Sequence, residues 1–474
     1  MERSPGRTAE VMAAIRVRLA NRSLASGDRL PSIRGLAASM GVSPSTIAEA
    51  YDRLAAEGVI RSQRGSGFYV ARRAAAPLVL ADAEPRRDRA VDPFWVSRQS
   101  LDADPRITRP GCGWLPADWM PTAALRRALR GLARGADDLL TDYGNTRGTL
   151  ALRRLLLAGF AEEGIVCTID QVLLTTSGTQ ALDLVCRLLL RPGDIVLVDD
   201  PCYFNFRALL RAHQVTVIGL PYTQTGPDLA AFETALGQHR PRLYITNSAL
   251  HNPTGATPTL QTVHRLLTLA KTHDLTIIED DIFADFEPEP SPRLAGLDGF
   301  DRVIRIGSFS KTISASLRCG YIAARRDWIE DLIDLQIATN FSGPSPVVAE
   351  VVARVLTDGG YRKHKQALHL RLAHARQETA ERLRALGVEP WAMPRGGFTL
   401  WCRLPDGLDS TAVAKAAMAE DVVLAPGNVF STSQTAGAFM RFNVAQCADP
   451  HVWAVLRRAL ATAQQKTVQQ EHAS

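Results

Sequence analysis

Val303-Ile304-Arg305-Ile306-Gly307-Ser308-Phe309-Ser310-Lys311-Thr312, trailed by Leu317-Arg318-Cys319-Gly320, is the stretch that weighs most on the fold. Val303–Ile306 predicts a strand, and the chain leaves it through a Gly-Ser turn onto a lysine. Lysine is scarce: only six occur, at 271, 311, 363, 365, 415 and 466. A lysine that forms a Schiff base needs a desolvated, sharply positioned amine near an anion site. The hydroxyls of Ser308 and Ser310 and the guanidinium of Arg318 are groups that hold a phosphate. Taken alone, Lys311 reads at least as well as a solvated turn residue.

Working outward, further apolar runs predict strands at Val172–Leu174, Ile195–Val198, Val215–Ile218, Leu243–Thr246 and Thr276–Ile278. Amphipathic stretches such as Ala181–Leu190 and Thr262–His273 lie between them. Strand, helix, strand at this spacing predicts an α/β domain with a mainly parallel sheet from about residue 105. Beyond about 375 a helical stretch leads to Gly396-Gly397-Phe398-Thr399-Leu400-Trp401. A second, smaller α/β pattern follows and ends in a helix near Ala454–Gln464.

Several turns of this domain carry chemistry-bearing groups. Thr176-Ser177-Gly178-Thr179-Gln180 follows a strand and opens a helix, where backbone N–H groups and the Thr179 hydroxyl form an anion site. Glu279-Asp280-Asp281 ends a strand and sets a carboxylate at the carboxyl edge of the sheet, where α/β ligands sit. A protonated ring nitrogen needs such a partner, although the three acids also suit a helix N-cap. In His251-Asn252-Pro253-Thr254-Gly255, Asn252 can donate to a ring oxygen or simply shape a turn. Tyr203 can stack on a ring or pack in the core. Arg441, in Met440-Arg441-Phe442-Asn443, can fork a carboxylate or serve as an ordinary strand arginine.

Residues 1–72 have another character. Pro31 suits the first turn of a helix, in which Ile33, Leu36, Ala37 and Met40 recur at helical spacing and Gly41 makes the stop. Ser43 and Pro44 open a second helix with an inward face of Ile47, Ala50, Tyr51 and Leu54, closed by Gly58. Val59–Arg61, a turn at Arg64-Gly65-Ser66-Gly67, and Phe68–Val70 read as strand, turn, strand. Two helices and a β wing make a winged helix-turn-helix, an α+β module whose second helix offers its first residues to the major groove. Ser45 and Thr46 then lie near base edges, with Arg34 and Arg64 on phosphates or in a groove. A small helical cap on the next domain is the alternative.

Charge separates the two regions. The net charge is +6, and residues 1–75 alone hold 12 Arg, no Lys and 6 Asp or Glu, so the whole excess sits there. A basic small domain beside a neutral large one favours a polyanionic partner for the small one. Residues 73–104 carry mixed charge and several prolines and read as a linker. Seven scattered cysteines without a CxxC pair fit reduced thiols, and neither a spanning helix nor a signal peptide is legible. The expected location is the cytoplasm, and no metal-ligating spacing is present.

Leu30-Pro31-Ser32-Ile33-Arg34, Val42-Ser43-Pro44-Ser45-Thr46-Ile47, Ala50-Tyr51-Asp52-Arg53-Leu54 and Gly65-Ser66-Gly67-Phe68-Tyr69-Val70 together resemble the GntR family of winged-helix regulators. The sequence departs from that family at Gly35, usually acidic, and at Pro44, often Arg or another polar residue. From about 105 to 465 the ordered turns resemble fold-type I aminotransferases, with a large part at about 105–370 and a small part at about 371–465. Both resemblances in one chain, with Gly113-Trp114-Leu115-Pro116 at the domain entrance, resemble the MocR subfamily. The resemblance implies pyridoxal 5'-phosphate as cofactor, Lys311 as its Schiff-base lysine and Asp280 on the pyridine nitrogen. It further implies Asn252 on the ring oxygen, Tyr203 stacked on the ring, and Gly178, Thr179, Ser308, Ser310 and Arg318 on the phosphate. Tyr143 resembles the tyrosine that reaches the phosphate from a neighbouring subunit, implying a homodimer, and Arg441 would receive a substrate carboxylate.

One departure touches the chemistry. Where relatives carry a tyrosine on the ring oxygen shortly after the aspartate, this chain has Ile282-Phe283. Neither donates a hydrogen bond, which weakens cofactor binding by ~0.5–1.5 kcal/mol and makes full transaminase turnover the doubtful part. The expectation is a regulator that binds double-stranded promoter DNA and senses an amine, an amino acid or the cofactor itself. The alternatives are a working aminotransferase with an auxiliary DNA-binding domain, and a cofactor-free dimerising scaffold.

Overall fold

The computed structural model describes residues 6–20, 24, 27–63, 66–71, 93–101, 104, 106–135, 137–405 and 407–473. The chain divides into two compact units, residues 1–88 and 89–474. Among the described residues no helix is long and apolar enough to cross a membrane.

The first unit is three helices and a hairpin: α1 (Arg7–Ala20), α2 (Ile33–Met40), α3 (Pro44–Ala56), β1 (Ile60–Gln63) and β2 (Gly67–Val70). Its core gathers Val11 and Ile15 of α1, Leu36 of α2, Ile47, Tyr51 and Leu54 of α3, and Ile60 and Val70 of the hairpin. Tyr51 meets Phe68 edge to face at 4.9 Å, and its hydroxyl donates to the carbonyl of Pro31 at 2.8 Å. The expected position of Pro31 in the first helical turn is corrected. Ser32 is the N-cap of α2, its hydroxyl accepting from the backbone N–H of Gly35, so Pro31 lies one residue outside. An N-cap hydroxyl satisfies a donor that a first-turn proline merely lacks. Gly41 ends α2 at φ 64°, and Ser43 with Pro44 opens α3.

The stretch read as linker is also corrected at its far end. Residues 73–92 lie outside the described residues, but Pro93–Leu101 forms a helix, α4. Its Val96 is buried with Phe204, Trp401, Val429 and Phe430. Trp95 and Val96 bury apolar surface that a linker would leave in water. The neighbouring prolines and charges hid that pattern in the sequence.

The large sheet orders as β3-β10-β9-β8-β7-β4-β5-β6. The strands are β3 (Val172–Thr175), β4 (Ile195–Asp200), β5 (Thr216–Thr223), β6 (Gly226–Pro227), β7 (Leu243–Thr246), β8 (Thr276–Asp280), β9 (Val303–Ser308) and β10 (Gly320–Ala323). β5, β4, β7, β8 and β9 run parallel, while β10 is antiparallel to both β9 and β3. β3 therefore points the same way as β9. The carboxyl ends of β3, β4, β7, β8 and β9 share one edge, the place where ligands sit on α/β sheets. Both faces are packed: Leu173, Ile245 and Ile304 on one, Leu197, Tyr244 and Ile277 on the other.

A smaller antiparallel sheet orders as β11-β12-β14-β13, from β11 (Glu389–Pro390), β12 (Thr399–Arg403), β13 (Ala425–Pro426) and β14 (Phe439–Asn443). The expected division between large and small parts at 370/371 falls inside one continuous 26-residue helix, Gly359–Arg384, and the terminal helix runs from Pro450 to Ala473, longer than expected. The segment 108–114 threads along the small sheet. Gly111 donates to Val423, and a Cβ on Gly111 would stand 2.4 Å from the backbone nitrogen of Ala425, so only glycine fits.

Candidate functional site

Three consecutive acids show how the sheet builds the site. Side chains alternate faces along a strand, so Glu279 and Asp281 turn one way and Asp280 the other. Glu279 accepts from the backbone N–H groups of Leu294 and Ala295, capping a short helix. Asp281 is held by Arg293 at 2.9 Å and by Arg305, in a buried group that also includes Glu163 and Glu287. Asp280 alone faces a cavity of about 490 Å³ at the carboxyl edge of the sheet. The N-cap reading thus falls on Glu279, while Asp280 is the member of the triplet that lines the cavity.

Ten of the residues singled out in the sequence line this cavity: Lys311, Asp280, Asn252, Tyr203, Gly178, Thr179, Ser308, Ser310, Arg318 and Arg441. The Lys311 amine donates to the carbonyl of Gly113 at 2.6 Å. Burial lowers its pKa to about 8, and the nearby Arg441 cation pushes the same way. Burial raises the Asp280 carboxyl to about 7, against the backbone N–H of Ile282 at 3.2 Å and Asn247, which pull it down. Among the described residues Asp280 forms no salt bridge. Arg441 is buried on β14, donating to the Asn252 side-chain oxygen at 2.9 Å and to the Gly111 carbonyl at 2.7 Å. Burial lowers its pKa to about 10, and its Nε has no partner among the described residues. A buried cation without an anion marks a place for one.

One end of the cavity is rich in anion donors. The helix Gly178–Leu189 opens there, with Ser177 as N-cap and Gly178 and Thr179 in its first turn. Ser308 donates to Ser310 at 2.8 Å, and Arg318 sits at φ 50° on the same rim. Tyr203 stands at the N-cap of the helix Phe204–Ala212, its ring 5.0 Å from Phe204 and 5.5 Å from Phe206. Ile282 and Phe283 line the wall after Asp280 and bring no hydroxyl. Tyr143 is outside the cavity: it is 71% exposed and meets Phe341 edge to face, ring centroids 4.7 Å apart.

Sequence reasoning missed Asn247, which is buried, lines the cavity and donates to the Asp280 carbonyl at 3.1 Å. Its place directly after the strand Leu243–Thr246 was the available signal. The carbonyls of Gly111 and Gly113 were not readable in advance, because backbone acceptors leave no residue-type signature.

In the first unit Arg34 and Ser45 are exposed and Thr46 is half-buried. Both hydroxyls lie 2.8 Å from the Ser43 hydroxyl, at the open end of α3. Arg64 lies outside the described residues. Arg53 is drawn to Glu49 at 2.6 Å and Arg16 to Glu57 at 2.5 Å.

A winged helix-turn-helix of this build and a fold-type I aminotransferase-like domain with a lysine-bearing cavity define a two-part protein, a DNA reader joined to a small-molecule site. The model of bacterial regulatory proteins of the gntR family matches residues 7–70, and that of aminotransferase class I and II matches residues 116–458. The chain is 30% identical over 429 residues to the uncharacterized HTH-type transcriptional regulator YdcR of Escherichia coli, covering 88% of this chain and 91% of that protein. It is 27% identical to the HTH-type transcriptional regulator NorG of Staphylococcus aureus, covering 86% and 93%. Among solved structures, the second unit is similar to LysN, an α-aminoadipate aminotransferase of Thermus thermophilus complexed with N-(5'-phosphopyridoxyl)-L-leucine. That match has TM-score 0.69, 25% identity, and covers 77% of this chain and 93% of that one. The chain belongs to the MocR-type members of the gntR family, a gntR reader joined to a class I and II aminotransferase domain.

Proposed function

We propose that the protein is a pyridoxal-phosphate-dependent transcriptional regulator whose reader grips promoter DNA and whose cavity senses an amine, an amino acid or the cofactor itself. The observation that carries this reading is a set of unmatched groups among the described residues of the cavity: a buried carboxyl in no salt bridge, a buried guanidinium with an unpartnered Nε, and an amine hydrogen-bonded to a backbone carbonyl. They fit pyridoxal phosphate and an amino acid. Lys311 would meet the aldehyde carbon, Asp280 the ring nitrogen, Asn252 the ring oxygen and Tyr203 a ring face. Gly178, Thr179, Ser308, Ser310 and Arg318 take the phosphate, and Arg441 an α-carboxylate. Bound there, the cofactor supplies an aldehyde that condenses with amines and a ring that withdraws electrons.

The chain's own groups set the rest. Asp280 keeps a proton on the ring nitrogen. Lys311 offers an uncharged amine more readily than a solvated lysine, since its lowered pKa leaves a larger neutral fraction near neutrality. Below about pH 8 a proton blocks the amine and above it the amine is free. The rate at which colour develops on adding pyridoxal phosphate is therefore expected to rise about tenfold per pH unit up to pH 8 and then level off. Stopped-flow absorbance checks this, and a rate still climbing to pH 10 would refute the desolvated amine. Ile282 and Phe283 leave the ring oxygen short of a donor, which favours holding and sensing over multiple turnover.

In the first unit Ser45 and Thr46 would meet base edges, and Arg34 and Arg64 phosphates or a groove. The basic balance of residues 1–75 supports this reading, and a promoter-binding role supports a cytoplasmic location. The exposed Tyr143 and Phe341 suit a second copy of the chain, whose cofactor phosphate Tyr143 would then reach. Promoter titrations with the full chain test the DNA reading. Affinity is predicted to fall steeply as salt rises, and a salt-insensitive affinity contradicts it.

A further inference from the structure

α4 walls the cavity without belonging to the groups assigned above. Val96, Ser97, Ser100 and Leu101 line it, and α4 packs on the helix that Tyr203 caps. Ser100 is 2% exposed and its hydroxyl has no hydrogen-bond partner among the described residues, although it borders the cavity. Buried hydroxyls are nearly always bonded, so this one marks where a ligand atom belongs. The cavity-facing side of α4 is uncharged, Arg98 being exposed and away from the lining. Arg109 also lines the cavity but is drawn to the Asp104 carbonyl at 3.3 Å, so a ligand group that meets α4 itself finds a hydroxyl and apolar surface, not a counter-charge.

We propose that α4 forms the distal subsite of the sensed molecule, an amino acid whose mainly apolar side chain ends in a neutral hydrogen-bonding group bound by the Ser100 hydroxyl. The proposal rests on the cofactor-and-amine reading of the cavity. Val96 and Leu101 supply the apolar contact.

The test uses full-length protein and the stable adducts N-(5'-phosphopyridoxyl)-L-leucine, -L-glutamine and -L-glutamate, with Ser100→Ala beside the parent. The parent is expected to hold the glutamine adduct at least tenfold more tightly than the glutamate adduct. Ser100→Ala is expected to lose about threefold to tenfold for glutamine, the value of one neutral hydrogen bond, and less than twofold for leucine. Retained leucine-adduct binding shows that the variant is folded. Amide hydrogen exchange across residues 94–101 is expected to slow when the glutamine adduct binds. Equal losses for all adducts, no loss for glutamine, or unchanged exchange in α4 would overturn the proposal. If those results come from protein that still colours with pyridoxal phosphate, only the α4 subsite falls. If no adduct binds and no colour appears, the cofactor reading falls with it.

Discussion

Lys311→Ala protein mixed with pyridoxal phosphate is expected to lose its visible absorbance on gel filtration, while the parent develops a band that survives it. Among the described residues Lys311 is the one lysine that lines the cavity, and its amine donates to the Gly113 carbonyl. Removing it leaves the aldehyde nothing to condense with on the protein. The Asp280 carboxylate and the phosphate donors remain, so the variant still takes up cofactor reversibly. Removing the amine does not disturb the first unit, which has its own core. Basal promoter affinity is therefore expected to stay within about twofold, while any response to cofactor or amine that depends on the covalent bond disappears. A band of undiminished intensity in Lys311→Ala would place the bond on another lysine.

Asp280→Asn is expected to weaken pyridoxal phosphate binding by roughly tenfold to a hundredfold, measured by equilibrium dialysis. A hydrogen bond to a charged group contributes about 1.5–3 kcal/mol, and each 1.4 kcal/mol is a factor of ten. The amide keeps the shape of the carboxyl but cannot keep a proton on the ring nitrogen. Folding is expected to be undisturbed or slightly favoured, since burial already pushes the carboxyl up to about 7 and outweighs the pull of the nearby Lys311. Arg305 and Arg293 hold Asp281, not Asp280, so the ion-pair group beside the strand is untouched. Binding within twofold of the parent would remove Asp280 from the site.

The sequence carried much of this because the site is built from strand ends. A residue directly after a parallel strand lies at a fixed edge, so Asp280, Ser308 and the Ser177–Thr179 turn were placed as soon as their strands were read. The helix-turn-helix was equally legible, since Ile47, Tyr51 and Leu54 recur at helical spacing between a Ser-Pro start and a glycine stop. Pro31 misled by one position because proline and Ser32 both favour helix starts, and only the bond from Gly35 decides between them. α4 escaped because its burial depends on Phe204, Trp401 and Val429, more than a hundred residues away. Asn247 escaped for a different reason: an asparagine after a strand has no residue-type signature until Asp280 is seen beside it.

On this reading one chain couples an occupied cavity to DNA affinity. The most direct measurement is a fluorescence titration of promoter DNA with full-length protein at fixed salt, without cofactor, with pyridoxal phosphate, and with cofactor plus amino acids, repeated on Lys311→Ala. A several-fold change in affinity on adding cofactor or amino acid to the parent, and none in the variant, is the predicted result. Affinities that stay equal across all conditions in the parent would contradict it.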